Sequence, residues 1–374
     1  MHNGGKSIQN SPSLNPNSSK QSKIRFLRQS NFERVLRQRV EEYFNRTGLP
    51  KRDCPEMYVK SILIFSWAIL SYSLLVFGAL PLWGIFLSAL SLSISLTALG
   101  FNVMHDGIHG AYSNHQAINK IMGVSLDVIG GSSYFWHWKH NYFHHTYPNI
   151  TSHDDDIDVG ILARFSPHQK RYFFHRLQHV YIWLLYGFLA IKWHLYDDFH
   201  TFFTKRLNQH PVDRPKGWGL LVFFWGKLCF FTLAFIIPAM FYPIIDVLLF
   251  YILIAFLQGL IMSIVFQLAH CNQETAFPLC DQNPRKINAT WIVHQLETTS
   301  DFAKSNKFLC WYAGGLNFQV EHHLFPKLCH INYPAISSIV EKTCREHNIA
   351  YLASGSFLSA MRSHYEWLHQ LGQA

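Results

Sequence analysis

Acidic residues are scarce in this chain. Asp and Glu number 23 against 32 Lys and Arg, and all four types together make up only 15% of 374 residues. Soluble proteins carry about 25% charged residues, so an ordinary soluble domain is disfavoured. Cys-x-x-Cys pairs are also missing. The seven cysteines (Cys54, Cys229, Cys271, Cys280, Cys310, Cys329, Cys344) are scattered and odd in number. That argues against a disulfide framework or a cysteine metal site and fits reduced thiols. The first residues lack the apolar core of a signal peptide. Residues 1–22 are rich in Asn, Ser, Gly and Gln, the composition of a disordered tail. No internal repeat is visible beyond a pair of hairpins.

What is present is apolar, aromatic and rich in histidine. Hydrophobic residues reach 49% and aromatics 16%, with 31 Phe and 11 Trp. The 23 histidines equal the whole acidic complement. They are dispersed, with several in tight sets, which excludes a tag. The net charge of +9 can mean nucleic acid or an anionic membrane face. Long apolar runs favour the membrane and exclude a nucleic-acid partner.

Residues 23–57 form a basic segment before the first apolar run. Phe32, Leu36, Val40 and Phe44 recur every four residues, with Arg34, Arg37, Arg39 and Arg46 between them. This pattern predicts an amphipathic helix over 24–47, ended by Gly48 and Pro50, either on the membrane surface or simply solvated. Four spans follow, over about 58–80, 82–103, 219–241 and 244–268, each near the 20 apolar residues a bilayer crossing needs. Tight turns at Pro81 and at Tyr242-Pro243 make them two helical hairpins. Lys227, inside the third span, either faces the bundle or snorkels. Ile121–Ile129 and Tyr181–Ile191 are too short to cross and read as interfacial or re-entrant. Lys and Arg precede the first span and fill 164–216, whereas the hairpin turns have none. The positive-inside rule then puts both termini and the long middle segment in the cytoplasm.

Three histidine sets fall on that same face. His105 and His109 are four apart, so they share one side of a helix. His140, His144 and His145 repeat the spacing. His322 and His323 follow Gln319 at three and four residues. His270 ends the fourth span at a depth matching His105. Neutral imidazole ligates iron, zinc or copper, and the convergence of three sets on one face favours a metal site. Zinc has no redox chemistry; a pair of irons could cleave an unreactive C–H bond. Soluble di-iron proteins use Glu and Glu-x-x-His ligands on four helices, and here imidazoles could take the place of the carboxylates. His115, His168, His175, His179, His194, His210 and His347 lack such company and read as surface or interfacial residues. His137 and His294 read as ligands or supports, and Asp106 as either. The run Asp154, Asp155, Asp156 and Asp158 is either a solvated loop or support for ligand histidines. Trp136, Trp138 and Trp311 either line a tunnel or anchor at the interface.

At these residues the sequence resembles the membrane fatty acid desaturases, whose three histidine boxes match 105–109, 140–145 and 319–323. The stretch Gly314-Gly315-Leu316-Asn317-Phe318-Gln319-Val320-Glu321-His322-His323-Leu324-Phe325-Pro326 is similar to the third box of the front-end group (delta-5, delta-6 and linoleoyl-CoA desaturase-like), which carries Gln at its first position. The resemblance spans roughly 58–345 and leaves 346–374 as a C-terminal tail. It implies an all-α integral membrane fold of four transmembrane helices with a cytoplasmic helical cap carrying a di-iron site. The implied ligands are His105, His109, His140, His144, His145, His270, His322 and His323, with Gln319 in a box position. It further implies a fatty acyl substrate, CoA- or lipid-linked, O2 as co-substrate, and a bacterial inner membrane or endoplasmic reticulum. Many front-end members carry a fused cytochrome b5 with a His-Pro-Gly-Gly motif; the only His-Pro here, His210-Pro211, continues Val212-Asp213. Ferredoxin, or cytochrome b5 with its reductase, is then the expected electron donor. A hydroxylase or sphingolipid enzyme with the same centre is an alternative, and a metal transporter or non-catalytic scaffold a more distant one. A transporter would need charged residues deep inside the spans, and there they are few, Lys227 and Asp246.

Overall fold

The computed structural model describes residues 24–282 and 285–374; the expected tail over 1–22 lies outside them. Four helices are long and apolar enough to cross a bilayer: Pro55–Phe77, Leu82–His109, Trp218–Ala239 and Ile244–His270. They form two hairpins, as the turns at Pro81 and Pro243 predict. Proline starts the first span at its first turn and caps the second and fourth, where its missing N–H is no loss. Hydroxyls tie the spans together. Trp67 Nε1 donates to Ser91 Oγ at 2.8 Å, and Ser93 Oγ donates to the Ile254 carbonyl at 3.0 Å. In a bilayer the outer faces gain nothing from burial, so such bonds and small-residue packing carry helix association. Gly259 illustrates the packing: a Cβ there would lie 2.7 Å from the Gly187 carbonyl of helix Gln178–Lys192.

Lys227 faces the bundle. Its ammonium donates to Asp198 at 2.7 Å and to the Gly130 carbonyl at 2.6 Å. The third span is thereby pinned to two cap segments by a buried, fully partnered ion pair, the only tolerable state for a charge at this depth.

The second span runs past its expected end at Val103. A π-helical turn, Gly100–Met104, continues into His105–His109, so the first histidine set rides on the span itself. Gly107 lets helix Gln116–Val128 press against that extension; a Cβ at Gly107 would sit 2.6 Å from the Gly123 nitrogen. The second set lies on a helix over 133–144, begun by Ser132, whose Oγ accepts from the Phe135 N–H. The third lies on the short helix Gln319–Leu324. The cap, which lacks any large sheet among the described residues, gathers all three sets and the end of the fourth span.

The basic segment differs from expectation in two ways. Residues Arg25–Leu27 form a strand paired with Arg285–Thr290, and the helix begins only at Asn31, capped by Ser30 and closed by Gly48 in the left-handed region. Its apolar stripe (Phe32, Leu36, Val40, Phe44) is buried with Ile336 and Val340 of helix Tyr333–Glu346. The stripe is spent on the protein's own core, which no periodicity argument can distinguish from a membrane surface. Residues 346–374 also carry structure: helix Phe357–Gln373 docks against the cap, where buried His364 bonds the Tyr186 hydroxyl at 2.7 Å.

Four of the histidines expected at the surface are buried. His175 bonds the Ile161 carbonyl, His179 packs on Tyr365 and His369, His194 lies against Phe230, and His210 stacks on Phe143 at 3.9 Å. Their partners are distant in sequence, so local context could not reveal them. His115 and His168 are exposed as expected.

Candidate metal centre

Eight imidazoles converge in the cap. His105, His109, His140 and His322 bring one ligand atom each within 4.8 Å of one another, as do His144, His270 and His323. A third such group, His145 with His322 and His323, joins the two lobes. Ring centroids of His145 and His322 are 4.5 Å apart, and those of His145 and His323 4.3 Å. All eight rings are buried.

The ring nitrogens divide into anchored and free. His144 Nδ1 lies 3.0 and 3.1 Å from the two oxygens of Asp154. His270 Nδ1 donates to the Thr298 carbonyl at 3.1 Å, and His323 Nδ1 to Gln295 Oε1 at 2.8 Å. His322 Nδ1 pairs with the Tyr333 hydroxyl at 3.2 Å. Among the described residues the Nε2 atoms of His105, His109, His322 and His323 have no hydrogen-bond partner. A buried polar atom left without a partner costs about 1–3 kcal/mol, so four such atoms shared between the two lobes form a poor hydrogen-bonded core and a good nitrogen donor set for a transition metal. Anchoring of the opposite nitrogen fixes tautomer and ring orientation, the usual support for ligand histidines.

Electrostatics favour the unprotonated ligand form. Burial, together with neighbouring histidines, holds His145, His322 and His323 well below the ordinary imidazole range. Burial also lowers His140, to about 4. His144 runs the other way: burial opposes its charge, but Asp154 raises it and is itself held low by the pair. For the depressed rings the unfolded chain takes up protons near pH 6.5 that the folded chain refuses. Their stabilising contribution is complete above that pH and lost as pH falls below it. Stability of the chelator-stripped protein in detergent therefore falls on acidification from pH 7 to 5; a thermal midpoint that stays flat or rises over this window contradicts the assignment of neutral buried rings.

The remaining candidates separate cleanly. Gln319 Nε2 lies 3.0 Å from His270 Nε2, inside the centre. Asp106 faces away from the lobes and binds His330, at 2.9 Å to its Nδ1 and 3.2 Å to its backbone N–H; Lys60 Nζ lies 2.9 Å from the other nitrogen of that ring. His137 is exposed, and His294 is buried against Phe26; neither joins the ligand groups. In the acidic run, Asp154 and Asp156 support histidines, whereas Asp158 caps a turn at Gly160. Trp136 stacks on His140 at 4.6 Å and on Trp193 at 5.0 Å. Gln295, Thr298, Tyr333 and His330 were not legible as support residues, since none sits in a box.

Behind the third box, the Tyr351 hydroxyl lies within hydrogen-bond reach of both Asp301 and Glu321, donating its one proton to Asp301. Burial and the Asp301 charge push Glu321 well above the usual carboxylate range. Asp301 also accepts from the Val320 N–H at 2.9 Å, fastening the helix that carries His322 and His323.

Four spans and a cap holding eight buried histidines define an integral membrane protein with histidine clusters that could hold a metal. Residues 80–355 match the family model described as fatty acid desaturase, and the chain belongs to that family. It is similar to the sn-1 linoleoyl-lipid 6-desaturase of Synechocystis sp., with 36% identity over 94% of this chain and 98% of that protein. The acyl-lipid (8-3)-desaturase of Physcomitrium patens is 35% identical over 91% of this chain and 72% of its own length. That of Mortierella alpina is 31% identical over 91% and 78%. The protein is thus an oxidoreductase of fatty acyl chains, with histidine clusters suited to a metal.

Proposed function

We propose that the two lobes hold two irons and that the chain places a cis double bond in an acyl chain of a membrane glycerolipid, between an existing double bond and the carboxyl end. The observation that carries this is the pair of histidine lobes joined by His145, set in a chain whose relatives are named as lipid desaturases. His105, His109, His140 and His322 would serve one iron and His144, His270 and His323 the other, with His145 between. Gln319, in the third box beside His270, supports the front-end reading. Bound iron supplies the oxygen chemistry by which two neighbouring methylenes each lose a hydrogen, with O2 reduced to water.

The chain's own residues bind, orient and exclude water. Tyr333, Gln295, Thr298 and Asp154 aim four of the rings, while Trp136 covers His140 with an apolar plane. No side chain needs to act as acid or base on the substrate. For the electrons we propose a separate donor, ferredoxin or cytochrome b5. The Lys and Arg distribution supports a cytoplasmic location for the centre.

The test is mass spectrometry of total fatty acids from a host expressing the chain and fed linoleate, beside His144→Ala. A more unsaturated species absent from the variant supports the reading and its fragmentation places the bond; a hydroxylated species overturns the reaction, and protein without iron overturns the centre. Asp154→Asn keeps the shape but removes the charge behind His144. It should weaken iron retention about 10- to 100-fold, measured as iron per protein after graded chelator treatment.

A further inference from the structure

Between the two hairpins lies an apolar cavity of about 1320 Å³, walled by residues of all four spans, among them Phe65, Leu96, Trp225 and Tyr251. Several wall residues are largely exposed, such as Leu82 and Ile69, so it opens sideways into the bilayer. Its inner wall includes Ile129, His194 and Gln258. The same three residues wall a second, much smaller void of about 10 Å³, completed by Gly100, Met104, Leu126, Gly131, Trp193 and Met262. Met104 precedes the ligand His105, and Trp193 stacks on Trp136, which covers His140. The small void is therefore a neck between the bilayer cavity and the metal centre.

We propose that the methyl half of the acyl chain runs from the centre into this neck and ends where the neck meets the cavity, and that Gly100 and Gln258 set how far it reaches. This rests on the desaturase reading above. The neck as it stands holds about one water, so side chains must yield to a chain. Met104 and Met262 are unbranched and can turn aside. Of the two neck glycines, Gly131 has no room, since a Cβ there would lie 2.7 Å from Leu126 Cδ1. At Gly100 the nearest atoms to a Cβ are Ile129 Cδ1 and Met104 Cε, both 4.0 Å away. Gly100 is helical, at φ −59°, so a side chain is tolerated by the backbone and would project into the neck.

Gln258 marks the far end. It is 3% exposed, yet its amide makes no hydrogen bond among the described residues, and it faces both voids. Methylenes cannot satisfy that amide, so a chain that stops short of it loses least. The lengths agree. Gln258 precedes His270 by twelve residues of one helix, about 18 Å at about 1.5 Å per residue. A C18 chain held at its sixth carbon has about twelve bonds left, about 14 Å at about 1.2 Å each. The Gln side chain covers much of the difference.

The experiment expresses wild type, Gly100→Ala, Gly100→Leu and Gln258→Leu in a host supplied with C16, C18 and C20 unsaturated acids. Product ratios and iron per protein are read for each. Gly100→Leu should lower C18 relative to C16 product about tenfold or more, with iron unchanged; Gly100→Ala should shift the ratio in the same direction by less. Gln258→Leu should raise C20 relative to C18 product severalfold, within the range a methylene or two commands in an apolar site. A C18 glycerolipid with a diazirine at its methyl end should crosslink to the segment around Gln258 and Met262 in wild type. Unchanged ratios in both Gly100 variants, or crosslinks confined elsewhere, overturn the route. Iron-loaded wild type that desaturates nothing defeats the desaturase reading instead, and the crosslink map then decides the route alone.

Discussion

His322→Ala removes desaturation below detection and takes most of the iron with it. Among the eight rings only His323, which links the other lobe to His145 in the same way, has a comparable position. His322 belongs to the group with His105, His109 and His140, and also to the group with His145 and His323. Its centroid is 4.5 Å from His105 and 4.5 Å from His145. Truncation removes a donor from one lobe and opens a void against the other, so on the proposed two-iron reading both sites lose support. Activity should fall by at least about a thousandfold, more than about 4 kcal/mol, and metal analysis of purified protein should give well under half the wild-type iron. Tyr333→Phe serves as the graded control. It keeps the ring and loses only the 3.2 Å partner of Nδ1, so iron should bind more weakly but still load at excess metal. His137→Ala should change neither quantity, because that ring is exposed outside the lobes. Full iron and full activity in His322→Ala would remove this ring from the centre.

Gly314→Ala should be the most damaging single methyl in the chain. Gly314 sits at φ +61°, and a Cβ there would meet the Phe101 carbonyl oxygen at 2.3 Å and its carbon at 2.8 Å. Both atoms are backbone of the second span's π-helical turn and cannot swing away. The left-handed conformation alone costs a non-glycine residue about 1–2 kcal/mol. The clash adds to it, so a loss of about 3 kcal/mol or more is expected. Gly48→Ala isolates the first part. Gly48 has φ +66° with nothing within 4 Å of its would-be Cβ, so strain acts there without collision. In detergent, Gly314→Ala should lower the thermal midpoint far more than Gly48→Ala and should also release iron, since the same loop leads into Gln319–Leu324. Equal small shifts in the two variants would mean that the approach to Phe101 is soft.

The spans and the histidine sets were legible because their signals are local: apolar length, and a spacing of four. Even so, the apolar run ends at Val103, because His105 and Asp106 break it, whereas in the structure the helix continues to His109 with those polar groups buried in the cap. Gln295, Thr298 and Tyr333 lay beyond local reasoning. Each is an ordinary residue whose role comes from a partner far along the chain, such as Thr298 beneath His270. The stripe of helix Asn31–Thr47 was visible, but its partner was not, because Ile336 and Val340 arrive some 300 positions later. His194 had no motif at all; its place between cavity and neck exists only once the cap closes on the third span.

The division of the centre among distant segments also gives it a birth order. Chains are made from the amino end and fold progressively, so His105, His109, His140, His144 and His145 leave the ribosome well before His270, and that before His322 and His323. During that interval five imidazoles stand as an unfinished chelator. An unfinished set of nitrogen donors follows the ordinary divalent preference, in which copper outranks iron. On the two-iron reading proposed above, completion by the last two rings, held from behind by Asp301 and Gln295, would then be the step that closes the site around its metal.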